Sequence, residues 1–132
     1  MMIKVYPDKE KVKSIIELAE EREKLVSDIE LKTNATFIIE DYYEIAKELT
    51  TAILLLGGIK TVGENAHKEM LDYLTHYNFS QAEITLLQDL RIRRNQSIYE
   101  GKQTKQVYLE NNRLEILRII SKLKLILKEK LP

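Results

Sequence analysis

"ATFIIEDYYEIAKELTTAILLLGG", residues Ala35 to Gly58, decides the fold. Apolar side chains recur at intervals of three and four and then close into the block "TAILLL", Thr51 to Leu56. The first pattern is that of a helix with one buried face, and a block apolar nearly all round marks a helix covered on every side. A helix from about Ala35 to Leu56 is therefore the expected centre of the molecule, with Asn34 or Thr33 as its N-cap. Gly57 and Gly58 suit the left-handed turn that ends it. The apolar block stops after six residues, far short of a membrane span.

The rest of the chain repeats the helical period, and no stretch alternates over a full strand length. Five helices and no sheet are expected, with "MIKVY" near the N-terminus strand-like but lacking an obvious partner. Pro7 and Asp8 open a first helix whose stripe is Val12, Ile15, Ile16, Ala19, Val26 and Ile29. A third, shorter helix from about Glu64 to Tyr77 turns Ala66, Met70, Leu71 and Leu74 inward and ends at Asn78. Ser80 and Glu83 form an S-x-x-E capping box for the fourth, which places Ala82, Leu86, Leu87 and Leu90 on its core face and stops at Gly101. The fifth, from about Thr104 to Lys130, holds Leu114, Leu117, Ile120, Leu123 and Leu127. Short connections between long amphipathic helices predict an all-α, up-and-down bundle of about five helices, with the third as an insertion or extra layer. A single domain is expected over residues 1–132.

Composition narrows the chemistry. The 132 residues contain no cysteine, which removes disulfides, thiolate metal sites and cysteine nucleophiles. The opening residues "MMIKVYPDKEK" lack the apolar core and small-residue cleavage site of a secretory signal, so a cytoplasmic protein without membrane attachment is expected. Formal net charge is zero, yet residues 1–50 carry 8 basic against 12 acidic side chains and residues 91–132 carry 11 against 4. That asymmetry attracts phosphates or an acidic partner, or is consumed where basic and acidic helices pack together.

Motif by motif, few sites survive. Glu64 and His67 have the Glu-x-x-His spacing of di-metal bundles, but that chemistry needs two such pairs. The other histidine, His76, has Tyr73 three residues before it; both histidines read as surface or dimer-contact residues, and no metal or other cofactor is expected. Gly57 and Gly58 are followed by "IKTVG", not by the Lys-Ser or Lys-Thr of a phosphate loop. What remains is "LRIRRNQSIYEG", Leu90 to Gly101. On a helix Arg91, Asn95 and Tyr99 form one stripe, and Arg94 lies one residue off it. Together they offer a phosphate clamp, an orienting amide, and a phenol that donates a hydrogen bond or stacks on a base. Arginines near a helix C-terminus also complement its dipole without any ligand.

Three stretches in succession, "YYEIAKELTTAILLLGGIK" (Tyr42 to Lys60), "HKEMLDYL" (His67 to Leu74) and "LRIRRNQSIYEG", resemble the HEPN family of small helical proteins found in toxin-antitoxin pairs and beside minimal nucleotidyltransferases. The likeness covers most of residues 36–110. The family signature is an arginine followed after four to six residues by a histidine, often with a polar residue just after the arginine. Arg94 and Asn95 match its first half, and Tyr99 stands where the histidine would be. In active members, the resemblance implies, such pairs from two protomers meet across a homodimer and cleave RNA without metal. Histidine titrates at about 6.5 and tyrosine at about 10, so Tyr99 is a poor proton acceptor at neutral pH.

Three readings follow. The preferred one is a HEPN-like binding or adaptor protein, partner of a minimal nucleotidyltransferase, whose homodimer cleft binds a nucleotide or RNA through Arg91, Arg94, Asn95 and Tyr99. The second is a metal-independent ribonuclease toxin with Arg94 and Tyr99 as its catalytic pair. The third is a purely structural helical dimerisation module.

Overall fold

The order of elements in the computed structural model, which describes residues 1–29 and 33–131, is β1 (Met2–Lys4), α1 (Lys9–Ile29), α2 (Ala35–Leu56), β2 (Ile59–Thr61), α3 (Ala66–Asp72), α4 (Gln81–Glu100) and α5 (Gln106–Lys130). A 3₁₀ turn over Tyr73–Tyr77 extends α3. The caps explain most of these boundaries. The Asn34 side chain accepts a hydrogen bond from the Thr36 amide at 2.8 Å, opening α2. Gly58 adopts the left-handed conformation just past α2, at φ 74°, and a Cβ there would meet the Val5 carbonyl oxygen at 3.1 Å. Asn78 and Gly101 take the same conformation after the 3₁₀ turn and after α4.

Helix α2 is the post around which the others stand, packed by α1, α3, α4, α5 and β2. Ile38, Ile45, Ala46, Ala52 and Ile53 along it are wholly buried. Thr36 meets Thr104, just past α4, and Glu44 meets Arg94 farther back along it, so α2 and α4 run antiparallel. Lys124 of α5 pairs with Glu23 of α1 at 2.8 Å, and Lys122 pairs with Glu83 of α4 at 2.9 Å, which sets α5 between those two helices. The fold is thus a mostly helical bundle of four long helices, with α3 as the added short layer.

The expected absence of a sheet is corrected. "MIKVY" finds its partner in Ile59–Thr61, with Met2 opposite Thr61 and Lys4 opposite Ile59 in an antiparallel ribbon. The pairing depends on the Gly58 turn, whose carbonyl accepts from the Val5 amide at 2.9 Å, and such a contact between distant segments leaves no periodic trace. The third helix is shorter than expected, beginning at Ala66 and tightening into 3₁₀ geometry after Asp72. Helix α5 begins at Gln106, because Thr104 is spent on the Thr36 hydroxyl, to which its amide donates at 2.9 Å.

Two core assignments are also corrected. Ala82 is exposed, and Ile84 takes the inward position on α4. Leu114 is 77% exposed, because the inward face of α5 is set by Leu109, Ile116, Ile119, Ile120, Leu123 and Leu127. Leu114 lies half a helical turn away from Ile116.

The capping box at Ser80 is present in both directions. The Ser80 hydroxyl accepts from the Glu83 amide at 3.1 Å, and Glu83 Oε1 accepts from the Ser80 amide at 2.8 Å. Burial pushes the Glu83 carboxyl up, but the Ser80 amide, the Lys122 ammonium and the Ser80 hydroxyl together outweigh it and hold it below its usual range. A carboxylate depressed in the folded state stabilises the fold above its unfolded value and ceases to do so as pH falls through the folded value. Glu83→Gln is therefore expected to lower stability by about 1–2 kcal/mol at neutral pH. In urea unfolding the deficit should shrink as pH falls through the lowered Glu83 value; a deficit that does not change with acidification would show that the charge is not its source.

Candidate functional site

Helical geometry places Arg91, Asn95 and Tyr99 along one line of α4, with Arg94 to one side and Arg93 on the opposite face. The structure gives the three arginines different work. Arg93 donates from Nε to Asp89 Oδ2 at 2.9 Å, and its guanidinium lies 3.5 Å from the centre of the Tyr108 ring on α5. The Tyr108 hydroxyl bonds the same Asp89 carboxylate. Burial and that carboxylate both push the phenol above its ordinary range. Arg93 is thereby a clamp between α4 and α5.

Arg94 faces α2. Its side chain is 23% exposed, and Nε lies 3.4 Å from Glu44 Oε1, while Glu44 Oε2 pairs with Lys47 at 2.8 Å. Neither Arg94 Nε nor Glu44 Oε1 makes an aligned hydrogen bond among the described residues, so their attraction is coulombic. A second amino group of Arg94 reaches Asn95 Oδ1 at 3.4 Å.

Around this pair α2 supplies an acidic surface. Burial raises the Glu40 carboxyl, aided by Asp41 and Glu44 and opposed by Arg94 and Ser97. Burial raises Asp41 as well, with Arg22 opposing it and Glu44 adding to it. Tyr43 is 1% exposed, and its hydroxyl has no hydrogen-bond partner among the described residues. Burial and the Glu44 charge push that phenol up to about 12, against the pull of Arg91 and Arg94.

Arg91 is the arginine left open. Its Nε donates to Gln88 Oε1 at 2.7 Å, and Gln88 is anchored in turn to the Lys68 carbonyl at 2.9 Å. Arg91 and Asn95 line a cavity of about 150 Å³ together with Gly63, Glu64, Asn65, Ala66, His67 and Lys68. His67 is exposed, as a surface histidine should be, but it belongs to this cavity. Partial burial, Lys47, Arg94 and Arg91 lower its pKa from 6.5, with Glu44 opposing them. The other histidine, His76, stacks on Tyr73 with ring centres 4.2 Å apart.

Tyr99, one turn beyond Asn95, is 76% exposed. Arg91, Asn95 and Tyr99 thus run as a line from the cavity to an exposed phenol, while Arg94 is engaged beside it. Glu40, Tyr43, Glu44, Lys47 and His67 had not been counted with the site. For Glu40 and Glu44 the sequence signal is a charged i, i+4 line, continued by Glu48, on a helix otherwise marked as central.

Chemically, the assembly offers a guanidinium fork and an amide for an anion, with one imidazole beside them. Among the described residues no group of three or more histidine, aspartate or glutamate side chains could hold a metal ion, and no helix is long and apolar enough to cross a membrane. Comparison with family models, with curated proteins and with solved structures gives no match.

The division of labour among the arginines is measurable. Arg94→Ala leaves Glu44 with one fewer cation in a largely buried seam and should cost roughly 2 kcal/mol, below the 3–5 kcal/mol of a fully buried pair. Arg91→Ala should stay within about 0.5 kcal/mol of the parent. Chemical denaturation of the two variants checks this, and equal losses would refute the assignment.

Proposed function

We propose that the chain is a HEPN-like binding or adaptor protein that partners a minimal nucleotidyltransferase and binds a nucleotide or RNA at a homodimer cleft. The observation that carries this reading is the open line Arg91–Asn95–Tyr99 on α4, bounded by the cavity at one end and by an exposed aromatic ring at the other. Arg91 grips phosphate, Asn95 orients it, and Tyr99 presents a face on which a base stacks. Arg94, tied to Glu44, contributes positive potential and holds α4 in register. The exposed apolar side chains Ile92 and Ile98 flank the line and supply contact area for a second copy.

Light scattering after gel filtration is expected to give a dimer at micromolar concentration; a monomer would sink the shared cleft. Fluorescence anisotropy with a single-stranded RNA oligomer should show binding that falls at least about tenfold on Arg91→Lys, since a point charge does not reproduce the fork. Unchanged affinity would remove Arg91 from the site.

The adaptor reading also predicts that the purified protein leaves RNA intact. Tyr99→His supplies a group with a suitable pKa and should create or raise chelator-insensitive cleavage, which Arg94→Ala abolishes again. Robust cleavage by the unaltered protein, lost on Tyr99→Phe, would instead make it a ribonuclease.

A further inference from the structure

The cavity at the Arg91 end of the line is small and strongly typed. At about 150 Å³ it is well below the volume that encloses a nucleoside-sized ligand, and suits a single tetrahedral oxyanion. Arg91 bonds Gln88 through Nε, and no described residue bonds its terminal nitrogens. Asn95 and His67 come from different elements, α4 and α3, and line the same space, His67 standing also on the wall of the adjoining pocket under β2. Lys68 adds a cation on the rim, shared with Asp72 at 3.2 Å, and Glu64 is the one carboxylate in the lining.

We infer that His67, Arg91 and Asn95 form a receptor for a phosphomonoester end group, so that the bound nucleic acid is recognised by its phosphorylated terminus. This deepens the binding reading and rests on it for the direction of the strand. Arg91 and Tyr99 are eight residues apart, about 12 Å along the helix, so the phosphate enters the cavity while a base farther along the strand reaches the exposed ring.

His67 makes the receptor responsive to pH. The groups facing it are Lys47 and Glu44 from α2, Arg91 and Arg94 from α4, and its own neighbours Glu64 and Lys68. With its pKa lowered, the ring is neutral at pH 7.5 and offers one donor. An anion that enters offsets the surrounding cations, favours the protonated ring, and converts it into a charged donor. Oxyanion affinity therefore rises as pH falls. The carboxylate of Glu64 opposes the anion, so its removal strengthens binding.

The test uses two probes on the intact chain. Sulfate keeps its charge between pH 5.5 and 7.5, so the His67 ring resonance in NMR reads the protein's titration alone. Sulfate should bind about tenfold more tightly at the lower pH, His67→Gln should flatten that dependence, and Glu64→Gln should tighten binding. The second probe is one RNA oligomer carrying either a terminal phosphate or a terminal hydroxyl. The phosphate form is expected to bind about tenfold better, and both His67→Gln and Arg91→Lys should erase the preference. Equal binding of the two RNAs would overturn the end-group receptor while leaving the binding reading standing. A His67-dependent sulfate response with no RNA binding would support the oxyanion site and overturn its nucleic-acid assignment. No response to either probe would overturn both.

Discussion

A buried helix that carries charge must find its counter-ions inside the fold, and α2 imposes that constraint on every element around it. Glu40, Glu44 and Glu48 fall one turn apart on a helix whose other faces are apolar. Unpaired, each would be expelled to water or protonated. Arg22 of α1 reaches Glu48 at 2.9 Å, and Arg94 of α4 reaches Glu44. These pairings set α4 in rotation about its own axis. Because Arg91 precedes Arg94 by three residues, fixing one guanidinium against α2 delivers the other to the neighbouring face, where α3 closes the cavity.

The uneven charge along the sequence has a largely internal resolution. Arg118 and Lys122 converge on the buried Glu83, Lys124 meets Glu23, and Arg93 meets Asp89. Lys122, Lys124 and Arg118 thus draw the basic C-terminal section onto acidic partners in earlier helices, while Arg93 is paired within α4. Arg91 escapes this pattern, because its Nε donates to the neutral Gln88. That difference singles it out more clearly than the local sequence, where Arg91, Arg93 and Arg94 look alike.

Legibility in the sequence followed the range of the interaction. The Asn34 cap, the Ser80 and Glu83 box, and the left-handed Asn78 and Gly101 are encoded within a few residues, and each was readable. So was the centrality of α2, since a helix apolar on all sides has no other place to go. The β1–β2 ribbon was not, because it joins residues nearly sixty positions apart and is only three residues long on each side. Leu114 misled for a related reason: a leucine signals burial only if its helix presents that face, and the face of α5 is chosen by neighbours remote in sequence. His67 was read as a surface or dimer-contact residue, and it is exposed. What one dimension concealed was the approach of Arg91 and Asn95 to it.

Under the proposed HEPN-like reading, the tyrosine in place of the signature histidine has a different meaning in three dimensions. In sequence, the question is whether Tyr99 replaces a histidine. In space, an imidazole lies beside the same helical line, but at its opposite end and from another helix. Residue type and residue position have been separated. An imidazole beside Arg91 can assist in holding a terminal phosphate, while a phenol some 12 Å farther along α4 remains free to stack. Cleavage of an internal phosphodiester would need both the proton acceptor and the stabilising cation at one bond. Recognition of an end needs them only at the end, and on this ground the proposed reading sets binding ahead of chemistry.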